Sequence, residues 1–150
     1  MKIVQKYLVK MLLPVIGASM LVGVGTTNVM AESGGHKLVI QVSTDDPRTQ
    51  KIALNNAVNL QKIYGMDNVA IEIVAYGPGL GLLTTKSKQA TRVKSLAMQN
   101  ITFSACGNTM KKVEKKSGKK PKLVEGVGVV QAGVARIMAL QEEGYAYIRP

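Results

Sequence analysis

Ile101-Thr102-Phe103-Ser104-Ala105-Cys106-Gly107-Asn108-Thr109-Met110 reads as a buried β-strand that ends on a thiol and passes at once into a helix. Branched and aromatic residues open the segment, and Asn108 and Thr109 are residue types that favour helix starts. A helix start carries unpaired N–H groups and the positive end of the aligned peptide dipoles. A cysteine placed there gives up its proton more readily, and the thiolate is the reactive form. Cys106 is the only cysteine of the chain, so no intramolecular disulfide can form.

On either side of this junction, apolar runs alternate with helical patterns. Residues 38–43 are a strand by their branched content, and Thr44-Asp45-Asp46-Pro47 supplies a turn in which Asp46 can cap a helix and Pro47 suits its first position. Ile52, Leu54, Ala57, Val58, Leu60 and Ile63 give the helix that follows an apolar stripe, and Gly65 is a natural stop. Residues 69–75 form a second strand. Gly77-Pro78-Gly79-Leu80-Gly81 breaks the pattern, with room for a short helix through Leu82 and Leu83. A helix is expected over 88–100, with Ala90, Val93, Leu96 and Ala97 on one face. After the strand at 101–106 come a basic helix over 108–116 closed by Gly118, a fourth strand over 123–130, a helix over 131–143 closed by Gly144, and a last short strand over 145–148.

Strict alternation of this kind predicts an α/β domain with a parallel sheet and helices on both faces. Strands two to four are apolar at most positions, as expected when both faces are covered. Ligands bind such sheets at the carboxyl ends of the strands. Four segments should meet there: Thr44-Asp45-Asp46, Tyr76-Gly77-Pro78-Gly79, Cys106-Gly107-Asn108-Thr109, and Val130 to Gly133.

Residues 1–31 read as a secretory signal peptide. Lys2, Lys6 and Lys10 lead a short apolar stretch, and Val29 and Ala31 satisfy the small-residue rule before a cleavage point. The stretch is short for a membrane span, which needs about 20 residues. No cysteine follows it to carry a lipid. The short lysine-rich leader has a bacterial character, so the expected destination is the periplasm or the cell exterior, with the membrane involved only before cleavage. Residues 32–36 are then a flexible lead-in that contains His36, the only histidine, and 37–150 a single domain. Trp is absent and Phe103 is the only Phe, so aliphatic side chains must build the core.

Export compartments are oxidising, and a lone thiol there is a buried inert group, half of an intermolecular bridge, or a reactive centre. Free cysteine is among the most buried residue types. Cys106, however, ends its strand, Gly107 leaves room for close approach to the backbone, and Asn108 and Thr109 offer hydrogen bonds. One distant His and one Cys give no basis for a metal site or a Cys–His pair. The glycine-rich 77–81 segment lacks the ending of a phosphate loop and is read as a turn that shapes the pocket.

The chain carries a net charge of +11, and Lys111, Lys112, Lys115, Lys116, Lys119, Lys120 and Lys122 crowd one stretch. At helical spacing 111, 115 and 119 form one row, and 112, 116 and 120 its neighbour. Such a face is either simply solvated or a docking surface for an acidic partner. No aromatic row interleaves the lysines, so nucleic acid is not expected.

Phe103-Ser-Ala-Cys-Gly-Asn-Thr-Met110, Val74-Ala-Tyr-Gly-Pro-Gly79 and the ending Leu140-Gln-Glu-Glu-Gly-Tyr-Ala-Tyr-Ile-Arg-Pro150 together resemble the DsrE/DsrF-like family, which has the YchN-like fold. The resemblance runs from about Lys37 to Pro150. It implies a three-layer α/β/α fold with a five-stranded, mainly parallel sheet, and homo-oligomers, commonly trimers or hexamers. In sulfur-metabolising members the matching cysteine accepts sulfane sulfur as a persulfide and passes it on, a role that falls on Cys106 here. Gly107, Asn108, Thr109, Gly77, Gly79 and Asp45 would shape its substrate site, with no cofactor and with an acidic sulfur-acceptor protein as partner. Sulfur-relay members are usually cytoplasmic, whereas this chain reads as exported, and its lysine run is heavier. The rival reading is a non-catalytic oligomeric binding module of the cell envelope, or a thiol sensor, with Cys106 in a subunit interface.

Overall fold

The computed structural model describes residues 35–150, so the signal-peptide reading of 1–31 and most of the lead-in lie outside the described residues. Five strands, β1 (His36–Val42), β2 (Val69–Ala75), β3 (Ile101–Cys106), β4 (Val127–Val130) and β5 (Ala146–Ile148), make one sheet in the order β4-β3-β2-β1-β5. Every pairing is parallel, with His36 opposite Val69, Ile73 opposite Phe103, Cys106 opposite Val130 and Leu38 opposite Ala146. His36, expected in the lead-in, is instead the first residue of β1. Its ring stacks on Tyr64 with centroids 3.6 Å apart.

Four helices flank the sheet: α1 (Pro47–Tyr64), α2 (Ala90–Ala97), α3 (Gly107–Ser117) and α4 (Gly133–Glu142). Chain direction explains where they lie. From β1 to β4 the chain steps steadily toward one edge, and right-handed crossovers then place α1, α2 and α3 over the same face. The step from β4 to β5 runs back across the sheet, so the same handedness puts α4 on the opposite face, against β1, β2 and β3. The result is the three-layer α/β/α fold with a wholly parallel five-stranded sheet.

The larger core lies on the first face. Leu38, Ile40 and Val42 of β1, Ile71 and Ile73 of β2, and Ile101 and Phe103 of β3 pack there on Ala53, Leu54 and Ala57 of α1, Val93 and Leu96 of α2, and Met110 of α3. A smaller cluster under α4 joins Val39, Val74, Ile137 and Leu140. Between β2 and α2 a 3-10 helix (Gly77–Leu83) sinks Leu80, Leu82 and Leu83 into the larger core.

Local chemistry sets the boundaries. Asp46 caps α1, its carboxylate accepting from the Thr49 N–H at 2.7 Å, and Gly65 ends the helix at φ 87°. The stripe of α1 differs from expectation: Ile52 and Ile63 point outward, whereas Gln50 and Gln61 are buried. Positions 50, 53, 54, 57 and 61 follow the helical period, and both amides are satisfied, Gln50 by the Thr44 carbonyl at 3.0 Å and Gln61 by the Gln99 carbonyl. The expected 88–100 helix shrinks to α2, because Ser87 to Gln89 form a turn and Asn100 swings into β3 with φ 61°. The fourth strand loses its first half. Leu123 bridges antiparallel to Thr84, and Gly126 turns the chain at φ 86° before β4 begins.

Candidate functional site

Cys106 is both the last residue of β3 and the residue before the first turn of α3, extended at φ −73° and ψ 115°. The strand runs into the helix with no loop between them, as the sequence predicts. Neither α3, preceded by Cys106, nor α4, preceded by Ala132, has a side-chain cap. The thiol sits beside both helix starts, whose first N–H groups have no partner within their own helix.

Burial of the thiol, only 5% exposed, would push its pKa up. Hydrogen bonds outweigh that effect. The Thr109 hydroxyl contributes most, followed by the backbone N–H groups of Gly133, Thr109 and Asn108, and together they hold the Cys106 thiol below the ordinary cysteine value. The Thr109 hydroxyl accepts from the Gly77 N–H at 3.0 Å, which ties the chain after β2 to the first turn of α3. The Asn108 N–H is shared with the Gln131 carbonyl at 3.1 Å.

The carboxyl ends of β2, β3 and β4 therefore converge on one sulfur atom. Gly77 reaches it through Thr109. Gly107 serves the assembly of the rim: a Cβ there would lie 3.1 Å from the Val130 carbonyl, so the room it leaves is taken by backbone. Gly79 does the same against β1, since a Cβ would lie 2.1 Å from the Val42 carbonyl oxygen. The Asn108 side chain is exposed. Asp45 lies apart from the thiol, on a cavity of about 250 Å³ shared with Pro47, Gln50, Gly81, Ser87, Lys88 and Gln89. Among the described residues, no group of three or more His, Cys, Asp or Glu side chains comes together to hold a metal ion.

Tyr76 and Gly133, which connectivity placed at this rim, prove to touch the thiol's surroundings, and an ionic cluster behind them escaped the sequence reading. Gly133 stands against the thiol, and its absent side chain accommodates the Tyr76 ring. Tyr76 continues β2 beside Cys106 and packs with Val39, Val74, Ile137 and Leu140. Behind them lies an ionic cluster. Glu72 of β2, 4% exposed, takes two hydrogen bonds from Arg136 of α4, from Nε at 3.0 Å and Nη2 at 2.8 Å, and one from the Ser104 hydroxyl at 2.6 Å. A lone glutamate in an otherwise apolar strand was the signal for it.

The lysine rows do not extend as helical spacing predicts. α3 ends at Ser117, and Gly118 closes it at φ 72°. Lys119 and Lys120 leave the helix and join Lys86 and Lys122 around a cavity of about 770 Å³, with Thr84, Thr85 and Ser117 also on its wall. Among the described residues none of these four lysines forms an ion pair.

No family model and no curated protein matches the sequence. Solved structures do. The YchN protein from E. coli superposes with a TM-score of 0.62 at 12% identity, over 77% of this chain and 99% of that one, which establishes a common fold. MTH1491 from Methanobacterium thermoautotrophicum, a protein of unknown function, superposes with a TM-score of 0.69 at 35% identity, again over 77% of this chain and 99% of its own. At that identity and coverage the likeness is one of sequence as well as fold: the chain belongs to the same family as MTH1491, and it shares with YchN the DsrE/DsrF-like, or YchN-like, fold.

Proposed function

We propose that the protein is a sulfur carrier, or sulfurtransferase-like protein, that holds sulfane sulfur as a persulfide on Cys106. The observation that carries the reading is the position of Cys106, at the junction of β3 and α3 with the first residue of α4 against it, where polar groups of both helix starts and the Thr109 hydroxyl hold the thiol below its ordinary value. They favour the thiolate, and they remain in place to stabilise charge on a second sulfur.

The Cys106 thiolate attacks the outer sulfur of a donor R–S–SH. A new S–S bond forms to Cys106, the donor's S–S bond breaks, and R–S⁻ leaves with the bonding pair. Delivery is the same exchange run toward an acceptor thiolate, so no net oxidant or cofactor is required. The slight exposure of Cys106 favours a slim donor, such as inorganic polysulfide or a terminal persulfide.

The partners in this reading are an acidic acceptor protein and further copies of the same chain. Support for the acceptor is the unpaired lysine set at 86, 119, 120 and 122. Support for a trimer or hexamer is the outer face of α4, where Val134 and Met138, one turn apart, are 67% and 63% exposed. Export to the periplasm or cell exterior is part of the proposal and rests on residues 1–31 of the sequence.

The burial of Cys106 favours a second reading, an oligomeric binding module or thiol sensor in which the sulfur is packed away. One experiment separates the two. The purified protein is incubated with polysulfide and analysed by intact mass, before and after alkylation. Addition of one sulfur atom at Cys106, absent in Cys106→Ser, is expected. A thiol that takes up neither sulfur nor alkylating agent in the native protein overturns the carrier.

A further inference from the structure

We propose that Glu72 and Arg136 are positioning residues for Cys106: their ion pair locks the first turn of α4, and with it the Gly133 N–H, over the thiol. The proposal rests on the reading of Cys106 as the working thiol. It adds how the protein builds the second of the two helix starts that serve it.

The geometry is continuous. Glu72, Ser104 and Cys106 project from the sheet face that α4 covers, and Arg136 lies one turn along α4 from Gly133. Arg136 donates from Nε and Nη2 to the two different oxygens of Glu72, and the Ser104 hydroxyl, two residues before Cys106, donates to the same carboxylate. The Nη1 of Arg136 reaches Glu143, just past the far end of α4, at 3.3 Å. The pair thus ties the helix to β2 at one turn from the thiol.

An ion pair is an uneconomical way merely to attach this helix. Burying Glu72 carries a desolvation cost that an apolar pair of similar volume would avoid. Ile137 and Leu140 already hold α4 on Val39 and Val74 by apolar contact. Apolar contact is non-directional, so it sets the orientation of a short helix less sharply than a directional contact does. A two-pronged guanidinium–carboxylate contact fixes direction as well as distance. Such precision matters where a backbone N–H must be aimed at one atom. At Gly133 no side-chain cap helps that aim; packing against Tyr76 and Cys106 limits how close the turn comes, and the ion pair sets its direction.

The test reads the ionisation of Cys106 from the pH dependence of its alkylation rate in the full chain. Wild type is compared with Arg136→Lys, which keeps the charge but loses the fork, and with the double variant Glu72→Leu/Arg136→Met, which removes one charge of each sign. Thermal unfolding is followed in parallel. The expected result is a rise of the thiol pKa by about one unit in the double variant, equivalent to about tenfold less thiolate below that pKa, with a smaller rise in Arg136→Lys. These rises are expected in protein that melts cooperatively near the wild-type temperature. Should the double variant fail to fold, Arg136→Lys decides alone. Alkylation profiles that superimpose on wild type in the folded variants overturn the proposal. Wild-type protein that takes up no sulfur, yet shows the pKa rise in the variants, overturns the carrier reading and leaves the positioning role standing.

Discussion

A Cβ placed on Gly133 would lie 3.4 Å from the Cβ of Cys106 and 3.0 Å from Cδ1 of Tyr76. The first residue of α4 is thus wedged between the thiol-bearing strand end and the aromatic residue that follows β2. Its N–H is one of the donors that favour the thiolate. Backbone chemistry and side-chain absence at one position serve the same atom.

Gly133→Ala should accordingly cost about 1–3 kcal/mol, because the Tyr76 ring must shift in a packed site. The donor N–H survives the substitution but moves with the helix. Slower alkylation of Cys106 is expected alongside the lowered urea midpoint. A variant with unchanged stability and unchanged thiol reactivity would show that the site is looser than its geometry implies.

Gly79→Ala is a more severe change. The added Cβ would fall 2.1 Å from the Val42 carbonyl oxygen and 2.6 Å from its carbon. These are backbone atoms of a central strand and cannot swing aside as a side-chain tip can. A loss of about 3 kcal/mol or more is expected in urea denaturation. Gly81→Ala is the control: a Cβ there meets nothing within 4 Å, and its effect should be small.

The architecture was legible because each junction in the chain carries its own chemistry. Asp46-Pro47 opens α1, Gly65 and Gly118 close helices, and β2 and β3 lack alternation because helices cover both their faces, whereas the equally apolar edge strand β4 stays exposed. Misreadings arose where hydrophobicity and periodicity disagree. Ile52 and Ile63 outrank Gln50 and Gln61 in apolarity, but the period of α1 aims the glutamines inward, where two backbone carbonyls receive them. The thiol was legible as the end of a strand. Connectivity also brought Val130 to Gly133 to the same rim, but not the contact of Gly133 with the thiol or the tie from Arg136 to Glu72, because these depend on α4 crossing the opposite face. Nothing local to Gly133 or Arg136 reports the crossing. Asp45, read as a rim residue by connectivity, belongs to the α1 side of the rim and lines a cavity in which the thiol has no part.

Thr109 accepts from the Gly77 N–H through its hydroxyl, and the same hydroxyl favours the Cys106 thiolate. Thr109→Val keeps the shape and removes both effects. The Gly77 N–H is then left without its partner, at a cost of about 1–3 kcal/mol where water cannot replace it. The thiol also loses its strongest favourable hydrogen bond, so its pKa should rise. Thr109→Ser retains the hydroxyl and should restore the alkylation profile. If valine and serine behave alike, the hydroxyl is not what tunes the sulfur.

A thiol whose pKa is lower in the folded than in the unfolded chain makes stability depend on pH. Unfolded, Cys106 should titrate near the ordinary value of about 8.5. Folded, it titrates lower, because the Thr109 hydroxyl and the three N–H groups outweigh the opposing effect of burial. Between the two pKa values the unfolded state holds more protons, so stability rises with pH across that interval. The contribution is complete above the unfolded pKa and is lost as pH falls through the folded one. Urea denaturation of wild type and Cys106→Ser between about pH 6 and 9 isolates it, because the other titrating groups are common to both proteins. The stability difference should move in favour of wild type as pH rises. A difference that stays flat across the range would mean that the thiol ionises no more easily in the fold than out of it.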